Sequence, residues 1–155
     1  MTMVQKLLWL AEALLKQSGR GQALKRRAVS TAYYAVFQEL ARLCAGVLLD
    51  HEGTLKRTVE YERVYRALDH GSLKAAFNSP ALRANPKLSS LGQGIAELQS
   101  ERVRADYLPA QRLFTEAQCE ELLANARFLL ELIETLTPEE KRVLAVNLIF
   151  KNRSS

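Results

Sequence analysis

Two arginines, an aspartate and a tyrosine fall within six residues in the run Glu101–Pro109, E-R-V-R-A-D-Y-L-P. A guanidinium grips phosphate oxygens through its planar fork. A carboxylate can take or return a proton. Tyrosine can do so only if its pKa, ordinarily near 10, is strongly shifted. Spacing singles out Arg102. Leu88, Leu91, Ile95, Leu98, Arg102 and Ala105 recur every three or four residues, which is one stripe of a helix. Charged side chains are almost never fully buried unless paired. An arginine on an apolar stripe therefore needs a carboxylate, a second subunit or a ligand phosphate. Asp106 lies one turn further on, within i,i+4 reach. Arg104 points roughly 200° away, at about 100° per residue. Tyr107 stands just before Leu108-Pro109, which breaks the helix.

A second group of chemically capable residues lies near the start of the chain. Lys25-Arg26-Arg27 opens a helical pattern, where positive charge opposes the helix dipole. An acidic side chain from another helix, a phosphate or open solvent would relieve it. Ser30, Tyr34 and Gln38 then draw a polar line along a mostly apolar helix, while Tyr33 sits on its apolar stripe. His70 precedes Gly71 at an expected helix end, where a cation is favoured. His51 lies in an acidic loop and reads as exposed. The two histidines are far apart without ligand-spaced neighbours, so no metal site is expected.

The elements that must position these residues read as helices almost throughout, with no sustained two-residue alternation. The first runs from about Val4 to Gln17 and stops at Ser18-Gly19-Arg20-Gly21. The second spans about Gln22 to Leu48, with a face wide enough for several neighbours. A loop at Asp50–Gly53 follows. Thr54 is the expected cap of a third helix over Leu55–Leu68, ended by Gly71, and Ser72 that of a short helix to Phe77. Asn78–Pro86 is the least regular stretch. Asn85-Pro86 opens the fourth helix, in which Gly92 and Gly94 mark a close approach by a neighbouring helix or a symmetry mate. Thr115 and Gln118 form a capping box for a fifth helix reaching about Leu136, with Phe114 placed to staple onto Cys119. Thr137–Glu140 opens a last helix, and residues 151–155 form a polar tail expected to be disordered. The expectation is an all-α, up-and-down bundle of about five or six helices, one domain over residues 1–150.

The bulk numbers agree with a soluble globular chain: 155 residues, 48% hydrophobic and 25% charged. A net charge of +5 permits an acidic partner such as RNA without requiring one. Cys44 and Cys119 sit at apolar helical positions and read as reduced core residues. No secretory leader and no membrane-spanning run stand out, so a cytoplasmic location without membrane association is expected. No cofactor is implied.

Two segments, A-L-K-R-R-A-V-S-T-A-Y-Y-A-V-F-Q-E-L (Ala23–Leu40) and E-R-V-R-A-D-Y (Glu101–Tyr107), resemble the HEPN domains, the higher-eukaryote and prokaryote nucleotide-binding helical bundles. Arg63–Gly71 is also similar to the middle helix of bacterial members. The resemblance implies a bundle of four or five helices, usually a homodimer. Members that are RNases carry an arginine and, four to six residues later, a histidine, meeting across the dimer seam. By position the arginine is Arg102 and the histidine position holds Tyr107; Gln38 stands where relatives often have another histidine. The chain thus keeps phosphate-binding parts and lacks the group that titrates near neutrality. On this resemblance Arg102, Asp106 and Tyr107 are the candidate catalytic set. Arg104, Arg26, Arg27 and Tyr34 are candidates to hold RNA or a phosphate. Three functions follow: an RNA or nucleotide-phosphate binder at a dimer seam with weak or no nuclease activity, a non-enzymatic partner subunit of a nucleotidyltransferase, or an active endoribonuclease toxin of a toxin–antitoxin pair.

Overall fold

Capping residues set most of the helix boundaries in the computed structural model, which describes residues 1–49, 53–109 and 113–150. Among these residues the chain is all-helical: eight α-helices, one 3-10 turn and no strand. They are α1 Met3–Gln17, α2 Gln22–Leu49, α3 Val59–Ala67, α4 Leu73–Phe77, α5 Pro80–Arg83, α6 Pro86–Tyr107, α7 Glu116–Glu134 and α8 Pro138–Ile149. The count exceeds the expected five or six because two short helices add to it: α4, the expected short helix to Phe77, and α5, which forms inside the stretch read as irregular. Pro80 at the first helical position supplies a preset φ there. The expected polar tail, residues 151–155, and the Asp50–Glu52 part of the loop, with His51, lie outside the described residues.

The expected caps hold at three starts. Thr115 and Gln118 exchange backbone-to-side-chain hydrogen bonds of 3.0 and 3.1 Å. Thr137 and Glu140 do the same at 3.0 and 3.1 Å. The Asn85 side chain accepts from the Leu88 N–H at 3.1 Å. A further box, Thr2 with Gln5, opens α1.

Three expectations are corrected. The third helix starts at Val59, not Leu55, because Thr58 rather than Thr54 caps it, accepting from the Tyr61 N–H at 3.2 Å. The later start puts Glu60 and Glu62 in the first turn and keeps Lys56 and Arg57 out of it, as the dipole prefers. That helix ends at Ala67, within one residue of the expected Leu68, with Leu68 and not Gly71 at its C-cap. Asp69 then caps a separate 3-10 turn, accepting from the Gly71 N–H at 3.1 Å, so His70 opens a turn instead of closing a helix. Ser72 stands at the start of α4 but makes no capping bond; its hydroxyl donates to the Asp69 carbonyl at 3.2 Å.

The contacts divide the chain into two compact units, residues 1–38 with 94–131 and residues 39–93 with 132–155. α2, α6 and α7 each give residues to both. In the first unit, Gln22 holds the entry to α7: its amide oxygen accepts from the Leu113 and Phe114 N–H groups, both at 3.1 Å, and its nitrogen donates to the Phe114 carbonyl at 2.7 Å. Gly94 of α6 faces α7 so closely that an added Cβ would lie 2.5 Å from Leu129 Cδ2. In the second unit α4 and α5 pack on α8, and a Cβ on Gly92 would lie 2.8 Å from the Phe77 Cβ, Cγ and Cδ1 atoms. Both glycines therefore admit helices of their own chain. The choice between a neighbouring helix and a symmetry mate falls on the former.

α2 is long and apolar enough, by length and composition, to cross a membrane, which the sequence reading did not register. Half of its most apolar window is buried against the rest of the chain, as in the core helix of a soluble protein, so the span reading is weak. Cys44 and Cys119 are buried free thiols. Burial pushes the Cys44 thiol up to about 12 and that of Cys119 to about 11.

Candidate functional site

The α6 stripe is buried along its whole length, Leu88, Leu91, Ile95, Leu98, Arg102 and Ala105 alike, so the helix carries Arg102 into the first unit. Only 8% of the residue is exposed. Opposite it, α2 presents Tyr33 and Tyr34. The guanidinium carbon lies 5.1 Å from the Tyr33 ring centroid and 5.8 Å from that of Tyr34. The two rings meet edge-on at 5.5 Å, and Phe37 lies 6.1 Å from Tyr33 on the same helix. A cation this close to ring faces is held by the ring quadrupoles, more strongly when water is excluded.

Asp106 completes the cluster. Its Oδ2 stands 3.7 Å from Arg102 Nη1, the i,i+4 pair that the spacing implied. The same oxygen accepts from the Ser30 hydroxyl of α2 at 3.3 Å. The pair is asymmetric: the arginine side chain is 10% exposed and the aspartate side chain 26%. One atom is left over. Arg102 Nε is buried and has no hydrogen-bond partner among the described residues. A buried donor without an acceptor is costly and rare, so this is the least satisfied point of the cluster.

Tyr33 does not supply a base. Burial raises the Tyr33 hydroxyl to about 12, outweighing the opposing charge and hydrogen bond of Arg102; Tyr34 adds a smaller push upward. Tyr107, at the histidine position of the resemblance, is 72% exposed at the end of α6. Nothing in the described structure ties it to Arg102.

The remaining expected residues scatter. Arg104 is held three residues back by Glu101, whose two carboxylate oxygens accept from Nη1 at 3.0 and 2.8 Å, and its guanidinium carbon lies 5.6 Å from the Phe114 ring centroid. Arg26 is half-buried and engaged within the chain, whereas Arg27 is exposed. Lys25 is the correction to the basic run. It is 4% exposed, and its ammonium donates to the Gly19 carbonyl beyond the end of α1. The lysine thus compensates carbonyls at a helix C-terminus, which prefers cations.

Sequence reasoning missed two members of the cluster's surroundings. Ser30 is 1% exposed and bonded across to α6, so the start of the polar line faces a helix rather than water. Tyr33 acts as a platform for Arg102 as well as core. A signal existed for both: Ser30, Tyr33, Tyr34 and Phe37 share one side of α2, where a buried arginine elsewhere would find its acceptor and its rings. No family model, no curated protein and no solved structure matches this chain.

Proposed function

We propose that the chain is a HEPN-like helical protein that binds RNA or a nucleotide phosphate at Arg102, in a homodimer, with weak or no nuclease activity. One observation carries this reading: a guanidinium buried on two tyrosine rings keeps an N–H without an acceptor, beside a carboxylate 3.7 Å away. A phosphate oxygen reaching that donor would satisfy it and share the guanidinium charge with Asp106. The aromatic rings would hold the fork rigid as it binds.

Weak cleavage follows from the same geometry. Cleavage through the 2′-hydroxyl needs a proton acceptor and a donor near neutral pH. Among the described residues no histidine belongs to this cluster, the Tyr33 hydroxyl is pushed away from neutrality, and Asp106 is engaged by Arg102 and Ser30. The endoribonuclease reading is therefore the weaker one.

The partner-subunit reading has its own support on α1. Met3, Leu7, Leu10 and Leu14 recur at i, i+4, i+7 and i+11, beside the inward stripe that ends in the buried Ala11 and Leu15. Met3 is 61% and Leu10 41% exposed, and Trp9 is 60% exposed on the same helix. Such a face suits a helix of another protein, including a nucleotidyltransferase, or of a second copy.

Fluorescence anisotropy with a labelled single-stranded RNA, run over a salt series, tests the main reading. Wild type should bind, and weaken as salt rises, since each phosphate contact releases counterions. Arg102→Met should remove most of that binding while the fold persists. RNA binding that is absent in wild type, together with a light-scattering mass that Leu10→Glu lowers, would transfer the conclusion to the partner-subunit reading.

A further inference from the structure

The second unit holds an open cleft of about 520 Å³, within the size range of small-molecule sites. Its floor is apolar, formed by Leu43 and Val47 of α2 and Ile133 of α7. Its polar rim is uneven. The Glu39 carboxylate is already taken by Arg42, whose Nε donates to it at 2.9 Å. Lys56 and Lys141 also line the cleft, where Glu134 is the one acid besides Glu39, and neither lysine has an ion-pair partner among the described residues.

Gly46 is the second, independent observation. It lies inside α2 and lines the cleft, and a Cβ added there would meet nothing within 4 Å. Glycine in a helix interior weakens folding relative to alanine by about two- to fivefold in the equilibrium constant. At Gly92 and Gly94 packing accounts for that cost, because a neighbour already fills the space. At Gly46 no neighbour does. The vacancy opens onto the cleft and leaves bare backbone on its wall.

We propose that this cleft binds a small organic anion, an apolar or aromatic body carrying one phosphate or carboxylate. The body lies on Leu43, Val47 and the bare backbone at Gly46, and the anionic group pairs with Lys56 and Lys141. All of these residues belong to the unit that does not contain Arg102, so the site is separate from the one proposed above.

Phenyl phosphate is the probe, titrated into the full chain and followed by amide chemical shifts. Saturable binding is expected, with the largest shifts at Gly46, Val47 and Gly53. Phenol, which lacks the charge, and inorganic phosphate, which lacks the ring, should each bind at least tenfold more weakly. Gly46→Leu should fill the cleft and weaken phenyl phosphate at least tenfold with the thermal midpoint held or raised. Should that variant unfold, the surface pair Lys56→Gln with Lys141→Gln carries the test, and it should weaken binding about tenfold and flatten its salt dependence. Absence of saturable binding overturns the proposal, as does affinity untouched by both sets of variants. Binding that disappears in Arg102→Met and survives both sets belongs to the Arg102 cluster and overturns it equally.

Discussion

Replacing Arg102 separates its charge from its packing. Arg102→Ala removes the cation from two rings and leaves Asp106 with Ser30 as its remaining partner. Breaking a fully buried pair from one side costs about 3–5 kcal/mol. Asp106 is 26% exposed and can rehydrate, which places the electrostatic loss below that range. A desolvated cation–π contact adds up to about 2 kcal/mol. Together these give about 3 kcal/mol of destabilisation for alanine. Methionine keeps most of the volume, gains sulfur–aromatic contact of about 0.3–1.5 kcal/mol and abolishes the orphaned Nε–H. Arg102→Met breaks the Asp106 pair from one side just as alanine does, so it should still cost about 2 kcal/mol, less than alanine only through the volume and the sulfur–aromatic contact it keeps. Arg102→Lys keeps the charge without the planar fork and should cost least, at about 1 kcal/mol. Urea unfolding measures all three as shifts in midpoint at constant slope. The same proteins go into the RNA anisotropy assay. Methionine as damaging to the fold as alanine would show that the charge itself holds the helices together. Methionine that folds and binds RNA like wild type would remove Arg102 from the site.

The remaining predictions address packing, titration, capping and the missing histidine. Gly92→Ala should destabilise by about 1–3 kcal/mol through overpacking against Phe77 Cβ, and Gly94→Ala by less, because the tip of Leu129 can turn away; Gly46→Ala should instead stabilise by about 0.5–1 kcal/mol, and thermal melts that fail to rank the three in this order refute the close-approach argument. The native state raises Tyr33 to about 12, Cys44 to about 12 and Cys119 to about 11. The unfolded chain gives up these protons first, so the contribution of the two thiols is intact below about pH 8 and that of Tyr33 below about pH 9, and both are lost as pH rises toward 12; circular dichroism against pH should show that loss, with Tyr33→Phe and Cys44→Ala flattening it. Thr137→Ala should cost about 1 kcal/mol by removing the α8 cap, read as a midpoint shift in urea. Tyr107→His places an imidazole on an exposed residue away from the Arg102 cluster, so a gel assay should show little added RNA cleavage; a large gain would mean that Tyr107 reaches the site in an assembly.

Periodicity made the buried side of α6 legible before any coordinates, because a helix that packs along its length must repeat apolar residues every three or four positions. Arg102 breaks that repeat in chemistry but not in spacing, which is why its burial and its pairing with Asp106 could both be read. Capping boxes were legible for a similar reason: the hydrogen bonds are local, between residues three apart. The start of α3 was less so, since Thr54 and Thr58 are equally good caps and only the placement of Lys56 and Arg57 decides between them. Partners brought from another helix were not legible at all. Neither the rings over Arg102 nor the Ser30 bond follows from spacing along one helix. Lys25 looked like part of a basic face because its carbonyl acceptor at Gly19 belongs to the preceding helix end.

Arg102 and Arg104 show how far composition alone misleads. Both stand in a six-residue run that looks like a paired phosphate clamp. Two residues along a helix is about 200°, so one arginine enters the core and the other meets Glu101 at the surface. The clamp therefore reduces to one guanidinium. That guanidinium is aligned by two tyrosines, faced by one carboxylate at a long 3.7 Å, and left with one unfilled donor. The aligned rings and the unfilled donor favour holding an anion in a fixed orientation, while Asp106 competes with that anion for the same guanidinium. Proton transfer near neutrality asks for a different group, and the side chain nearest to that role by position, Tyr107, faces solvent. Binding without efficient cleavage is the function that this division of roles supports.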